Sequence, residues 1–492
     1  MTTRTELGTL EASGLIQLAA LEPELEYLFR HALVQETAYG SLLKQERRAL
    51  HRRAAETLLR FYPDRQAEFA GVIAMHLERA GDTRAALPYL MLAGQHSLER
   101  FANREAQAFF ERAYAYASDE TQRDPVVALR AAIGGAKAGW TFSGDAALAP
   151  LESGLAATGE SDPRLTAEAY FWIAFLHGRR GRTPETSASM RNALQRLDEI
   201  GSSLGDDTSR VMPQALLGMA YVFTGRFRAG AELLENALGA TAGGSDELAA
   251  ALMSDVLAIA YARLGEFEQA ERALQRSDAL AAKGDGIAKI DVMLARAMIA
   301  LERGELPRGV ALATECAVRS EELGAVACGA GSNVARGFGL LAYDDPAAAR
   351  EPLERGRELA IVANMQANNV LAEGLLGAVK GRLGDLASAS IDWNSALERA
   401  RAADDRVEEA VIRWARARTY LRASPPDYAA ALTDLDAAIP LFEAMEARPT
   451  LARAQRDRAE ALDAVGRTRE AEAARRRSGE LADAMGLVDL AR

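Results

Sequence analysis

The chain has 492 residues, a net charge of −12, 6% aromatic residues and two cysteines. Such acidity argues against broad nucleic-acid affinity, which needs many cations to displace condensed counterions, and two thiols are too few for a disulfide framework. No run of 18 or more apolar residues occurs and the start, MTTRTELGTLEASG, lacks the basic-then-apolar pattern of a secretory signal. No membrane span is therefore expected, and the expected setting is the cytoplasm, with reduced thiols.

Residues 1–80 read as a helical segment that leads into the rest of the chain. A short apolar start (Leu10, Leu15, Ile16, Leu18) is broken by Gly14 and Pro23. Leu28, Leu33, Ala38, Leu42 and Leu43 then fall near a helical stripe, and a second stripe runs through Leu50, Ala54, Leu58 and Phe61 until Pro63 stops it. The basic run Lys44 to Arg53 is balanced by Glu36, Glu46 and Glu56, so it reads as a solvated helix face.

Residues 81–492 are organised differently. A turn-like residue recurs about every 40 residues: Gly144, Gly181, Gly225, Gly265, Gly304, Asp344, Gly384, Asp427, Gly466. Around Gly265 the sequence is VLAIAYARLGEFEQAERALQRSDAL. Leu257, Ala258 and Tyr261 share one face of a first helix, Gly265 ends it in a left-handed cap, and Phe267, Ala270 and Leu274 form the facing stripe of a second. Strand-type runs of Val, Ile and Thr are scarce. The expected fold is all-α: a right-handed α-solenoid of about ten hairpins, at roughly 83–117, 125–158, 163–200, 210–242, 246–282, 287–323, 327–363, 366–403, 406–446 and 448–486.

The pattern L-A-x-x-Y-x-x-x-G-x-x-x-x-A resembles the tetratricopeptide repeat and reappears as MAYVFTGRFRAGA and GAVKGRLGDLASA, at a period longer than the usual one. The segments LEASGLIQ, EYLFRHALVQETAYGSLLKQERRALHRRAAETL and HLERAGDTRAALPYLMLAGQHSLERFANREAQAFFERA resemble the junction in bacterial STAND signalling ATPases where a winged-helix domain ends and a repeat arm begins. Many such proteins carry adenylate/guanylate cyclase or transcription-factor domains. The resemblance implies a regulatory arm, with His31 of FRHAL at the position that reaches nucleotide phosphates. No G-x-x-x-x-G-K-[ST] phosphate loop occurs, so the expectation is the arm of such a protein without its engine, with His31 more readily read as a leftover or capping residue.

No catalytic set emerges. The five histidines show no metal-ligand spacing, and Cys316 and Cys328, twelve apart, read as packed thiols. No enzyme activity, metal or cofactor is expected. Function is expected in the groove. The tetratricopeptide register places Phe171, Phe175, Met219, Ile259, Met298, Phe338 and Trp414 on the inner wall and Arg179, Arg263, Arg382 and Arg422 along its edge. An apolar strip edged by arginines suits a protein or peptide partner with acidic groups. A tightly wound superhelix filled by the same residues is the competing reading. The partner is expected to be protein or peptide, without nucleic acid or membrane, and self-association stays open. A split ATPase/cyclase component and a small-molecule sensor are the alternatives.

Overall fold

The computed structural model describes residues 3–490, apart from 21–25, 101, 122, 141, 143–145, 160–161, 180–187, 190–191, 194, 197–198, 201–206, 241–246 and 283–285. It is 83% helical, with 23 α-helices and one two-stranded sheet among the described residues, and its hairpins form a tetratricopeptide-like helical solenoid. The chain divides into two compact units, Met1–His96 with Ala115–Arg123, and Ser97–Tyr114 with Asp124–Arg492.

The first unit corrects an expectation. Its start is not wholly helical: after the helix Thr3–Ala12, strands Ile16–Ala20 and Glu26–Phe29 pair antiparallel, with Ile16 opposite Phe29 and Leu18 opposite Tyr27. Gly14, at φ +74, separates helix from strand. The two runs are too short to sustain a helical stripe, and their branched and aromatic side chains suit a pleated ladder. Helices Ala32–Ser41, Lys44–Phe61, Gln66–Ala80 and Thr83–Glu99 follow, and Pro63 stops the second of these by opening a 3-10 turn. The stripes predicted there are only partly covered. Leu33, Leu43, Leu50 and Phe61 are 74%, 70%, 49% and 63% exposed.

In the second unit the hairpins succeed one another: Asp207–Phe223 with Phe227–Ala240, Glu247–Leu264 with Phe267–Ala281, Gly286–Arg303 with Leu306–Leu323, Val326–Ala342 with Pro346–Val362, Gln366–Arg382 with Leu386–Ala402, Arg406–Leu421 with Tyr428–Ala444, and Arg448–Ala464 with Thr468–Met485. The periodic turn residues have the predicted conformation. Gly225, Gly265, Gly304, Asp344, Gly384 and Gly466 all have positive φ. At Gly265 the amide donates to Ala262 O (3.0 Å) and the next amide, of Glu266, to Tyr261 O (2.8 Å), which satisfies two orphan carbonyls of the first helix. Gly144 and Gly181 lie outside the described residues. Asp427 also sits at a turn between helices but in another role: at φ −106 it is the N-cap of the following helix, its carboxylate accepting from Ala430 N.

A second series closes the other ends of the hairpins. Gly324, Asn364, Asp404, Glu446 and Gly486 also have positive φ, again about 40 residues apart. Three of them are not glycine, which hid the series from the sequence reading.

The hairpins also meet partners far away in sequence. Arg448 donates to Leu264 O (2.6 Å) and to Glu266 (3.1 Å), spanning 184 and 182 residues. Arg228 reaches Glu446 at 3.3 Å across 218 residues, and Arg104 donates to Leu323 O at 3.0 Å across 219. One apolar cluster accordingly joins residues between Leu129 and Ile299 with residues between Ala410 and Leu487. This unit is wound so tightly that one superhelical turn packs on the next.

Candidate functional site

Tight winding decides what the predicted inner wall does. Phe175 is buried among Trp140, Phe171 and Trp172, with ring centroids 5.8, 6.3 and 5.4 Å away. Met219 is 3% exposed, and Trp414 is 2% exposed, its indole N–H donating to Asp457 at 2.8 Å. Phe175 and Met219 are corrected from open wall to packed interior, because successive superhelical turns approach closely enough to need filling, and Trp414 is largely buried as well. Arg263 is corrected as well. It pairs with Glu302 at 2.6 Å, and Glu302 belongs to an inter-turn network in which Arg453 donates to Glu302 O (2.9 Å) and, with two nitrogens, to Asp489 (2.7 and 3.0 Å). Met298 is half-buried.

Among the described residues, one small cleft on the inward face gathers three of the predicted residues. Phe338, Arg382 and Trp414 line a small cleft, about 20 Å³, between the first helices of three successive hairpins, Val326–Ala342, Gln366–Arg382 and Arg406–Leu421. Phe338 and Trp414 meet at 6.1 Å between ring centroids. Leu341, Leu375 and Arg418 are also among the lining residues. Arg418 was not singled out in the sequence. Its signal is its place four residues after Trp414, on the same helix face.

Charge is concentrated at this cleft. Arg382 pairs with Asp344, and Arg422 pairs with Glu460 at 2.7 Å. Burial alone would raise the Asp344 pKa, but the Arg382 hydrogen bond and the charges of Arg382, Arg418 and Arg422 outweigh it and hold the carboxyl below its ordinary value. Burial would lower the Arg422 pKa, and the Glu460 partner raises it instead. At Arg418 burial lowers the guanidinium pKa. Asp457 opposes that, and Arg456, Arg422 and Arg382 add to it.

His31 is exposed and stands at the N-cap of the Ala32–Ser41 helix without a side-chain capping bond. Two histidines that look scattered in sequence do meet. His51 and His76 approach Nδ1 to Nδ1 at 2.8 Å, and the Tyr39 hydroxyl lies 2.9 Å from His51 Nε2. A single hydrogen bond between two imidazole nitrogens holds one proton, so the pair opposes double protonation. Burial lowers both pKa values. Arg79 adds to this at His51, and His51 and then Arg79 add to it at His76. The unfolded chain therefore binds protons more readily in this range, and stability is fully present above the ordinary histidine pKa and lost as pH falls from there through the lowered folded-state values. Urea denaturation followed at about pH 7.5 and about pH 5.5 should show a lower midpoint at the acid pH, a difference that His76→Gln reduces. An unchanged midpoint would refute the pairing.

No group of three or more His, Cys, Asp or Glu side chains suited to a metal exists among the described residues. Cys316 and Cys328 are buried, Cys328 donating to Asp291 at 2.9 Å. Burial, and then the Asp291 charge, pushes the Cys316 thiol up to about 12, which disfavours the reactive thiolate. Among the described residues no helix is long and apolar enough to cross a membrane.

No known family model matches the chain. An uncharacterized protein of Rhizobium meliloti (strain 1021) is 33% identical over 122 residues, which are 25% of this chain and 12% of that protein, so the chain matches only a small part of its relative's length. A solved Rap protein complexed with Competence and Sporulation Factor aligns over 81% of this chain and 98% of its own, at 12% identity and a TM-score of 0.52. A STAND protein with a tetratricopeptide repeat sensor from Pyrococcus horikoshii aligns over 78% of this chain and 54% of its own, at 13% identity and a TM-score of 0.37. The Rap likeness bears on the fold alone.

Proposed function

We propose that this chain is a non-catalytic regulatory module that binds a protein or peptide partner on the inward face of its solenoid. The observation that carries the reading is the cleft at Phe338, Arg382 and Trp414, an apolar floor rimmed by arginines where most of the inward face is otherwise packed. Apolar and arginine anchors in desolvated pockets are the groups that dominate binding energies. The Rap protein is a precedent on a similar fold, with Competence and Sporulation Factor in its complex. The finer proposal is that the chain works as the sensor arm of a STAND-type ATPase, residues 1–80 being the junction and 81–492 the arm. It rests on the junction-like segments around His31.

A second reading has its own observation. The exposed apolar side chains Leu33, Leu43 and Phe61 of the first unit suit a surface covered by another domain or chain. On that reading the chain is the non-catalytic part of a split ATPase or cyclase, and His31 would sense a nucleotide only when the partner supplies the pocket.

The test is retention of peptides from a randomised acidic pool, wild type against Phe338→Glu, with circular dichroism as the control for folding. The wild type should retain a reproducible set that Phe338→Glu releases at unchanged helicity. No enrichment by the wild type, or the same set on the variant, would dismiss the groove. Met298→Glu, away from the cleft, should retain the set.

A further inference from the structure

The hairpin tips of the second unit fall into two groups. Those at Gly225, Gly265 and Gly304 are covered by a later superhelical turn: Met445 and Val407 close over Gly225, Met485 and Pro449 over Gly265, and Asp489 over Gly304. Met445 and Met485 stand beside Glu446 and Gly486, which have positive φ and belong to the second series of turns. The far ends of later hairpins therefore sit on the tips of earlier ones. Arg228, paired with Glu446 across 218 residues, and Arg448, donating to Leu264 O, fasten the contact. Under it Leu264, the residue before the turn glycine, is 0% exposed.

The tips at Asp344, Gly384 and Gly466 repeat the positive-φ turn without such a cover among the described residues. A Cβ at Gly384 or Gly466 meets nothing within 4 Å. The residues in the register of Leu264 are Tyr343, Leu383 and Val465, and they are 61%, 47% and 45% exposed. One exposed apolar side chain is ordinary. Three at the same repeat position line one edge of the solenoid, and it is the position that the covered tip buries. The opposite half of the contact is uncovered too. The helix Leu148–Thr158 ends at Gly159, which has φ +63 and nothing within 4 Å of its Cβ position. Gly159 lies at the same end of its hairpin as Glu446 and Gly486 do in theirs.

We propose that these edges are the two halves of an interface between copies of this chain: the tips at Tyr343, Leu383 and Val465 of one copy take the hairpin end at Gly159 of a second. The contact continues the screw that already packs Met445 on Gly225 and Met485 on Gly265. A second copy is the fitting partner because the chain's own repeats make the internal contact and because it carries both uncovered halves. Such a contact joins unlike surfaces, so it adds copies in a row instead of closing a two-fold dimer. The tips offer mainly apolar side chains, and each copy carries a net charge of −12. Copies therefore repel at long range, and salt screens the repulsion and favours association.

Sedimentation velocity of the full chain, from about 1 to about 100 µM, tests the assignment. The mean mass should rise above that of one chain as concentration increases, and rise further at about 0.5 M salt. Leu383→Glu, on an exposed tip, should weaken the association roughly tenfold or more at unchanged helicity. Ala157→Glu, exposed beside Gly159, should do the same from the other edge. Mixed in equal amounts, the two variants each keep one intact edge, and they should form pairs and nothing longer. Should Leu383→Glu lose helicity, Tyr343→Glu takes its place. A wild type that keeps the mass of one chain throughout, an association that survives Leu383→Glu, or mixed variants that fail to pair would each overturn the assignment.

Discussion

Arg453→Ala is expected to destabilise the chain by about 3–5 kcal/mol, the range for removing one partner of a buried charge pair. Arg453 is 7% exposed and Glu302, beside it, 6%. Its guanidinium holds Asp489 with two nitrogens and also donates to Glu302 O. Truncation leaves Asp489 without its two-nitrogen partner, while Glu302 keeps Arg263 but loses the charge beside it. The pair links residues 151 apart along the chain, so the loss also uncouples two superhelical turns. Urea denaturation followed by circular dichroism measures the cost, and a cycle with Asp489→Asn isolates the coupling. A loss under about 1 kcal/mol would mean that the turns are not clasped here.

Gly265→Val should cost about 2–4 kcal/mol, from two sources that a control separates. At φ +75 a β-branched residue is strained in any surroundings. In addition, a Cβ at this position would lie 2.1 Å from Met485 Sδ and 2.9 Å from its Cγ, where the next superhelical turn packs on the hairpin tip. Met485 is flexible and yields in part. Gly466 has nearly the same backbone, φ +77, but a Cβ there meets nothing within 4 Å. Gly466→Val therefore reports the backbone strain alone, and the excess at Gly265 reports the inter-turn contact. Equal losses at the two sites would remove the contact from the account.

What the sequence disclosed and what it hid divide along physical lines. Gly225, Gly265, Gly304 and Gly384 were legible because a left-handed helix end selects glycine strongly, and Asp344 because aspartate tolerates the same conformation. Asn364, Asp404 and Glu446 make equivalent turns, but their residue types also occur in ordinary polar loops. Phe338, Arg382 and Trp414, which the tetratricopeptide resemblance placed on one inward strip, do line one cleft. Whether Phe175, Met219 and Arg263 face a partner or the next superhelical turn was not, because that depends on the pitch, and pitch accumulates from small rotations at every hairpin. The Ile16–Phe29 pairing failed for a different reason: four- and five-residue runs carry too little periodicity to separate strand from helix. Arg418 and the His51–His76 pair needed neighbours brought from other helices before they stood out.

The central claim is that a partner peptide engages the opening left between the inward helices. Hydrogen–deuterium exchange of the wild type, with and without a peptide recovered from the acidic pool, tests it most directly. The account predicts added protection in Val326–Ala342, Gln366–Arg382 and Arg406–Leu421, the three helices that meet at Phe338 and Trp414. Protection confined to Ala32–Ser41 and Lys44–Phe61, with those three helices unchanged, would contradict it and move the binding surface to the exposed apolar side chains of the first unit.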